Sequence, residues 1–238
     1  MEILLGVIVG FVVLVAIGVG WHLERKRTLE LSAFASRVGL SFSEDRDRTA
    51  DERFARFAMF RRGRSRSAWN LMRGRLTLAG REVELELGDF RYTVSHGSGK
   101  NRRSKTYKFS YLVAINPIGQ CPETIIRQEG LFDRVKGILG FDDIDFESEE
   151  FSRKFHVSSD EKRFAYDLID QRMMEYILAD LPPAVELDGR QICISDGRGR
   201  WDTDDFERAI GWLDGILERW PSHLAKSLAD REAGDVRS

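Results

Sequence analysis

Residues 81–87 read REVELEL and residues 105–117 read KTYKFSYLVAINP, and both stretches alternate polar and apolar side chains. A period of two places the apolar side chains on one face of a β-strand. The residues between the two stretches, SHGSGKNRRS at 95–104, are polar and rich in glycine and arginine, which is typical of a long hairpin connection. We therefore predict two neighbouring antiparallel strands joined by a basic loop.

The apolar alternation changes phase at Gly88 and Asp89. Apolar residues occupy odd positions before this pair, whereas Phe90, Tyr92 and Val94 occupy even positions after it. A change of phase by one residue is typical of a β-bulge or turn, which returns the later side chains to the same face. With a third strand at residues 69–78, the pattern predicts an antiparallel β-meander over residues 61–140 with one buried face.

The second half of the chain mixes strand and helix signals. Residues 144–146 and 155–157 are short strand candidates. The serines and the aspartate at 158–160 are typical helix-start residues, and they predict one helix that reaches Asp180 and ends before Pro182.

A hairpin and a last helix follow. Asp188 and Gly189 predict a tight turn between two strands, and Asp202 predicts the start of a helix. Strand, helix, hairpin and helix together predict an α+β module over residues 141–221. The polar tail, residues 222–238, is expected to fray.

The N-terminal part of the chain is strongly apolar. Residues 3–21 (ILLGVIVGFVVLVAIGVGW) contain no charge, and an α-helix needs roughly 20 such residues to cross a bilayer. Arg25, Lys26 and Arg27 follow the run and no basic residue precedes it, which favours a retained anchor over a cleaved signal peptide. We expect a single-pass protein of an inner or plasma membrane, anchored through residues 3–23, with its N-terminus outside and the remainder cytoplasmic.

The anchor defines the rest of the predicted organisation. A transmembrane anchor at residues 1–23 is followed by a juxtamembrane helical segment at residues 24–60. Within the anchor, Gly6 and Gly10 form a G-x-x-x-G pattern that would let two helices approach closely, although glycine is common in membrane spans for other reasons. The frequency of glycine in membrane spans is the preferred interpretation, and dimerisation through these glycines is the alternative.

Charge is distributed unevenly along a chain whose total is nearly neutral. The 238 residues carry 37 Lys and Arg against 39 Asp and Glu, a net charge of −2. The net charge is 0 over residues 1–60, +9 over residues 61–108 and −11 over residues 109–238. The candidate binding residues form two basic clusters in the middle segment: Arg61, Arg62, Arg64 and Arg66, then Lys100, Arg102, Arg103 and Lys105.

Several interpretations of the basic segment remain open. Its arginines can pair internally, with Arg73, Arg75 or Arg91 facing the glutamates of residues 82–86 and other cations docking on the acidic half. Alternatively, the clusters face anionic lipid or a protein partner. Nucleic acid is the least favoured partner of these.

The sequence carries few signals of catalysis or of metal binding. Four His and two Cys lie without a zinc-binding spacing, so no metal and no cofactor are expected. The loop at residues 97–100 (GSGK) lacks the remaining residues of a phosphate loop. Six acids at residues 142–150 do not match a calcium loop, and a solvated strand edge is the preferred interpretation. No catalytic residue can be assigned.

Three stretches resemble a group of uncharacterised bacterial membrane-anchored proteins. They are residues 60–74 (FRRGRSRSAWNLMRG), 88–92 (GDFRY) and 97–103 (GSGKNRR), and residues 151–176 add a core of the form F-x-V-x-S-x-D. Residues 88–92 depart from the family order of aromatic and acidic positions. The resemblance implies an N-terminal span followed by an α+β domain, and it implies no functional residue.

The sequence thus predicts an α+β protein in which an N-terminal transmembrane helix precedes the meander and the strand-helix-hairpin-helix module. Its expected role is that of a binding or scaffold module for a protein partner or an anionic lipid surface. An enzyme with a dispersed carboxylate site, involving Asp142 to Glu147, is the alternative, and a deep pocket of carboxyls with raised pKa would favour it. A nucleic-acid-binding domain is the less favoured alternative.

Overall fold

An eight-stranded antiparallel sheet organises the protein in the computed structural model, which describes residues 2–97, 102–129 and 144–235. The strand order is β1-β2-β3-β4-β8-β7-β5-β6. The strands are β1 (Ser41–Ser43), β2 (Arg64–Leu78), β3 (Arg81–His96), β4 (Arg103–Ile115), β5 (Cys121–Gln128), β6 (Phe155–Ser159), β7 (Ala184–Gly189) and β8 (Gln191–Ile194). Because β4 pairs with β8, a single sheet runs through both halves of the chain.

Helices cover the sheet and confirm the predicted α+β class. They are α1 (Glu2–Val38), α2 (Ala50–Arg53), α3 (Glu149–Lys154), α4 (Lys162–Leu168), α5 (Gln171–Asp180), α6 (Thr203–Glu218) and α7 (Ser222–Asp235), with a 3₁₀ turn at Ala58–Arg61. Helix α1 ends before Gly39, whose φ of +82° favours glycine.

Strand β3 keeps an unbroken register with β4 at Gly88 and Asp89, so the bulge predicted there is wrong; the register shift lies in the neighbouring strand β2, between Trp69 and Met72. Gly88 pairs with Tyr111 and Asp89 with Ser110, in unbroken register with β4. The change of apolar phase therefore moves the later side chains to the opposite face of the sheet. The prediction of one buried face is wrong for the same reason, because Leu87 is buried in one core and Phe90 in another.

The two cores use different elements. The larger core combines odd-numbered residues of β3 with side chains of α1 and of α3 to α7. The smaller core is aromatic and combines even-numbered residues of β3 with α2 and the 3₁₀ turn. The loop and turns between β1 and β2 thus close the second face of the sheet.

The second half departs from its prediction at three places. The single helix predicted up to Asp180 is two helices, because Asp170 interrupts it and caps α5 through the backbone N–H of Met173 at 2.9 Å. Residues 144–146 form no strand, although the Ile144 N–H bonds to the carbonyl of Val157. Most of the tail predicted to fray is helix α7.

The hairpin and the last predicted helix are confirmed. Strands β7 and β8 pair around Gly189, whose φ is +58°. Asp202 caps α6, and its side chain accepts from the N–H of Asp205 while the Asp205 side chain accepts from the N–H of Asp202.

Helix α1 has two unlike parts. Its C-terminal part places Leu31, Phe34 and Ala35 in the larger core. Its N-terminal part is exposed wherever its side chains are described, and its apolar side chains there have no cover from the protein. Within residues 2–97, 102–129 and 144–235, no helix meets the length and hydropathy that crossing a membrane requires, so this result does not support the span expected at residues 3–21.

Candidate functional site

The two predicted basic clusters meet at one end of the sheet. Arg64 at the start of β2 lies opposite Thr93 near the end of β3. Its guanidinium donates to Ser95 Oγ at 2.6 Å and to Ser104 Oγ at 3.4 Å, beside the second cluster. The exposed members of the two clusters are Arg61, Arg64, Arg102, Arg103 and Lys105, and Lys100 lies outside the described residues.

Part of the basic segment pairs within the protein. Arg66 donates to Asp51 at 2.5 Å, and Arg73 Nε donates to Glu86 at 2.6 Å. Arg75 lies 3.7 Å from Glu84 in an exposed pair. Arg62 also interacts with neighbouring groups, since its charge acts on the titration of Glu186. The interpretation of internal pairing therefore holds for several of these arginines.

A buried ion pair joins α1 to the sheet. Asp89 is fully buried, and Arg27 donates to both of its oxygens, at 2.9 and 2.7 Å. Ser110 and Asn70 donate to the same carboxylate at 2.6 and 3.1 Å. Arg27 also donates to the carbonyl of Trp201 at 2.7 Å. Four donated hydrogen bonds therefore satisfy the buried carboxylate.

This cluster gives Arg27 a structural role that the sequence did not suggest. In the sequence, Arg27 belongs to the basic triplet used to predict topology. In the structure, it holds the helix against β3 and the segment before α6. The sequence feature that could have revealed this role is Asp89. Its odd-numbered position in β3 places its side chain on the same face of the strand as the other odd-numbered residues.

A second charged network lies on the opposite face of the sheet. Glu86 accepts from Arg53 Nη2 at 2.8 Å, from Arg73 Nε at 2.6 Å and from the Tyr111 hydroxyl at 2.5 Å. The same two arginines donate to Asp47, at 2.6 and 2.8 Å. Burial tends to raise the pKa of Asp47, but hydrogen bonds from Arg53 and Thr49 outweigh it and hold this pKa well below its ordinary value.

The network lines an open groove of about 540 Å³. Apolar side chains of Phe54, Val113 and Ile115 form part of its wall. Its inner carboxylate, Glu86, is engaged by two arginines and a tyrosine. A carboxylate engaged in this way is a structural acceptor, so the groove does not present Glu86 as a proton acceptor for a substrate.

A third charged group, the carboxyl of Glu186, lies on β7 where this strand pairs with β5. Glu186 is half-buried, opposite Ile125 of β5 and Cys193 of β8. Burial raises its pKa to about 7, with Arg127 opposing this shift and Glu123 adding to it. Burial also raises the pKa of the Cys193 thiol. The pKa of the Glu186 carboxyl therefore lies near neutrality.

The raised pKa of Glu186 predicts that the stability of the protein depends on pH. A carboxyl with a folded-state pKa above its ordinary 4.5 binds more protons in the native state, so stability falls as pH rises between about 4.5 and 7. The substitution Glu186→Gln removes this loss of stability at high pH. We expect the variant to gain about 1–2 kcal/mol over the wild type at about pH 8 and little near pH 4.5, because the half-buried position screens part of the shift.

Urea unfolding of the full chain in detergent, followed by circular dichroism at both pH values, measures this difference. Glu84→Gln is the matched control, because Glu84 is an exposed glutamate on β3 of the same sheet. An equal gain from Glu186→Gln at both pH values would show that Glu186 does not titrate as described.

The acidic run proposed as an alternative catalytic site is only partly described. Asp142 and Asp143 lie outside the described residues, and Asp145 and Glu147 are exposed. His156 lies in β6, where its side chain is buried and interacts with its surroundings. Among the described residues, no group of three or more His, Cys, Asp or Glu is arranged to hold a metal ion.

Comparison with known proteins extends the description of the fold. No family model matches the chain, and no curated protein matches it. A solved structure, that of the mycobacterial trehalose monomycolate transport factor A, is similar with a TM-score of 0.52 and 13% sequence identity. The similarity covers 83% of this chain and 97% of that chain, so nearly the whole transport factor shares this fold.

Proposed function

We propose that this protein is a membrane-tethered scaffold: the first half of α1 enters a bilayer, and the α+β fold binds a protein partner at the membrane surface. One observation carries the proposal. Apolar side chains of the first half of α1 are 48–70% exposed, and they are Val7, Phe11, Val12, Leu14, Val15, Ile17, Val19, Trp21 and Leu23.

The distribution of these side chains favours lipid as their cover. They lie on several sides of the helix, whereas a helix that packs on one partner exposes a single apolar stripe. The uncharged run at residues 3–21 is about 28 Å long as a helix, close to the bilayer's hydrocarbon thickness of about 30 Å. Trp21 and the following basic triplet suit the interface, and they favour an N-terminus outside and a cytoplasmic fold.

The second half of α1 explains how such a tether acts as a scaffold. The helix continues without interruption to Val38, and the Arg27–Asp89 pair fixes it to the sheet. The fold therefore keeps one orientation relative to the tether. Its exposed basic end, which includes Arg64 and Arg103, suits an acidic partner. The similar mycobacterial protein is a transport factor, which supports a binding role over a catalytic one.

Substitution at the centre of the run tests the tether. Val12→Arg places a charge at the middle of residues 3–21, which costs about 2.5–3.5 kcal/mol for insertion at a helix centre. We expect the wild-type full chain to stay with the membrane fraction after a high-salt wash and the variant to lose most of this association.

Leu29→Arg is the matched control. Leu29 is 58% exposed and Val12 is 59% exposed on the same helix, but Leu29 lies outside the run. The control should keep the wild-type distribution between membrane and soluble fractions. Release of the wild type by salt, or retention of Val12→Arg equal to that of the control, would contradict the tether.

A further inference from the structure

A basic pocket lies at the base of the exposed part of α1. It has a volume of about 290 Å³, and its charged and aromatic lining comprises Arg46, Arg91, Lys108, Trp69, Glu24 and Glu44. The lining comes from α1, from the loop after β1 and from β2, β3 and β4. We call it the helix-base pocket.

The two acids of the helix-base pocket are compensated by cations. Glu24 accepts from Lys108 at 2.9 Å and from Arg200 at 2.7 Å. Burial tends to raise the pKa of Glu24, but these two hydrogen bonds outweigh it and lower the pKa. Glu44 lies 3.6 Å from Arg25. The lining therefore carries three cations against two acids, and Arg25 and Arg200 share those acids from outside it, so net positive charge remains.

Arg91 is the cation that most needs a partner. It lies directly opposite Lys108 in the register of β3 and β4, and like charges in this position repel. Its Nε is buried without a hydrogen-bond partner. Within the ranges that the structure describes, neither Arg91 nor Arg46 has a carboxylate partner. A cation that has a buried N–H donor and no counter-ion is stabilised by an oxyanion, which accepts the hydrogen bond and balances the charge.

We propose that the helix-base pocket binds the phosphate group of an anionic phospholipid. The proposal rests on the tether proposed above: Glu24 and Thr28 line the pocket and follow Trp21 by about 5–10 Å along the helix, which is the depth of lipid headgroups. Arg46 and Arg91 donate to the phosphate oxygens, and Lys108, whose Nζ lies 5.7 Å from the centre of the Trp69 ring, adds charge. A membrane-facing position favours a lipid over soluble phosphate as the source.

Titration of the detergent-solubilised full chain tests the pocket. The probes are dihexanoyl phosphatidylglycerol, dihexanoyl phosphatidylcholine and inorganic phosphate, and the readout is tryptophan fluorescence, assigned to the pocket by its loss in Trp69→Phe. We expect phosphatidylglycerol to bind more tightly than the other two probes. Arg91→Gln should weaken its binding about tenfold, since a charge-assisted hydrogen bond is lost.

Arg75→Gln is the matched control, since it removes one exposed arginine from the opposite face of the sheet. The control should bind phosphatidylglycerol within about twofold of the wild type. Equal weakening in Arg75→Gln and Arg91→Gln, or inorganic phosphate binding as tightly as phosphatidylglycerol, would overturn the proposal. Arg46→Gln supplies a second test at an exposed position, where folding is not at risk.

Because binding is measured in detergent, the two proposals can fail separately. A chain that leaves the membrane but binds phosphatidylglycerol refutes the tether alone. A chain that stays in the membrane but does not distinguish phosphatidylglycerol from the other probes refutes the lipid site alone.

Discussion

Asp89→Ala is expected to lower the free energy of unfolding by about 3–5 kcal/mol, because it leaves the partly buried guanidinium of Arg27 without its counter-ion. The Arg27 side chain is only 16% exposed and its partner is fully buried, so water replaces little of the lost interaction. Asn70 and Ser110 also lose their acceptor. Urea unfolding of the full chain in detergent, followed by circular dichroism, gives this free energy.

A second ion pair on the same helix provides the control. Arg37 on α1 and Glu207 on α6 lie 2.9 Å apart, but both side chains are more than half exposed. Glu207→Ala should cost at most about 1 kcal/mol, as exposed pairs do. The double variant Arg27→Met with Asp89→Ala removes both charges, so it should be less destabilised than Asp89→Ala alone. Equal losses for Asp89→Ala and Glu207→Ala would refute a special role for the buried pair.

The same aspartate shows what the sequence predicts and what it leaves out. Alternation correctly predicted strands at β2, β3 and β4, because a period of two is a local property. The alternation did not reveal that both faces of β3 are buried, because the helices and turns that bury them lie far from β3 in the sequence. A bulge at Gly88 and Asp89 was the natural interpretation for a sheet with one buried face, and it hid the inward position of Asp89.

Helix α7 and strand β5 were missed for a related reason. Leu224 and Leu228 lie four residues apart and both pack in the larger core, but the residues around them are polar. In β5, Pro122 and Arg127 weaken the strand signal. In both places tertiary packing overrides local preference.

The basic clusters predicted as a binding site show the same limit of sequence analysis. Charge counting correctly located a basic segment, but a count does not state which cations already have partners. Arg66 and Arg73 are engaged by acids within the protein, whereas Arg91 is not. For Arg73 and Arg91 the register of the sheet decides the difference, because it places Arg73 opposite Glu86 and Arg91 opposite Lys108.

Phe60→Ala is expected to destabilise the protein by about 3–5 kcal/mol, as large aromatic deletions in a packed core do. Phe60 is fully buried in the 3₁₀ turn. Its ring centre lies 4.9 Å from that of Phe90, 5.1 Å from that of Tyr111 and 5.7 Å from that of Phe109. The turn therefore closes the aromatic core over three sheet residues, and the deletion leaves a cavity there.

The location of the loss distinguishes this variant from general destabilisation. Because Phe60 holds the segment that carries Arg53, amide hydrogen exchange should increase first in α2 and the 3₁₀ turn and least in α6. Phe42→Ala, at the partly buried edge strand β1, should cost less than half as much. Uniform exchange across both cores in Phe60→Ala would mean that the aromatic core does not open on its own. The segment from α2 to the 3₁₀ turn would then be an inseparable part of the larger core, and the groove beside Glu86 would have no independent motion.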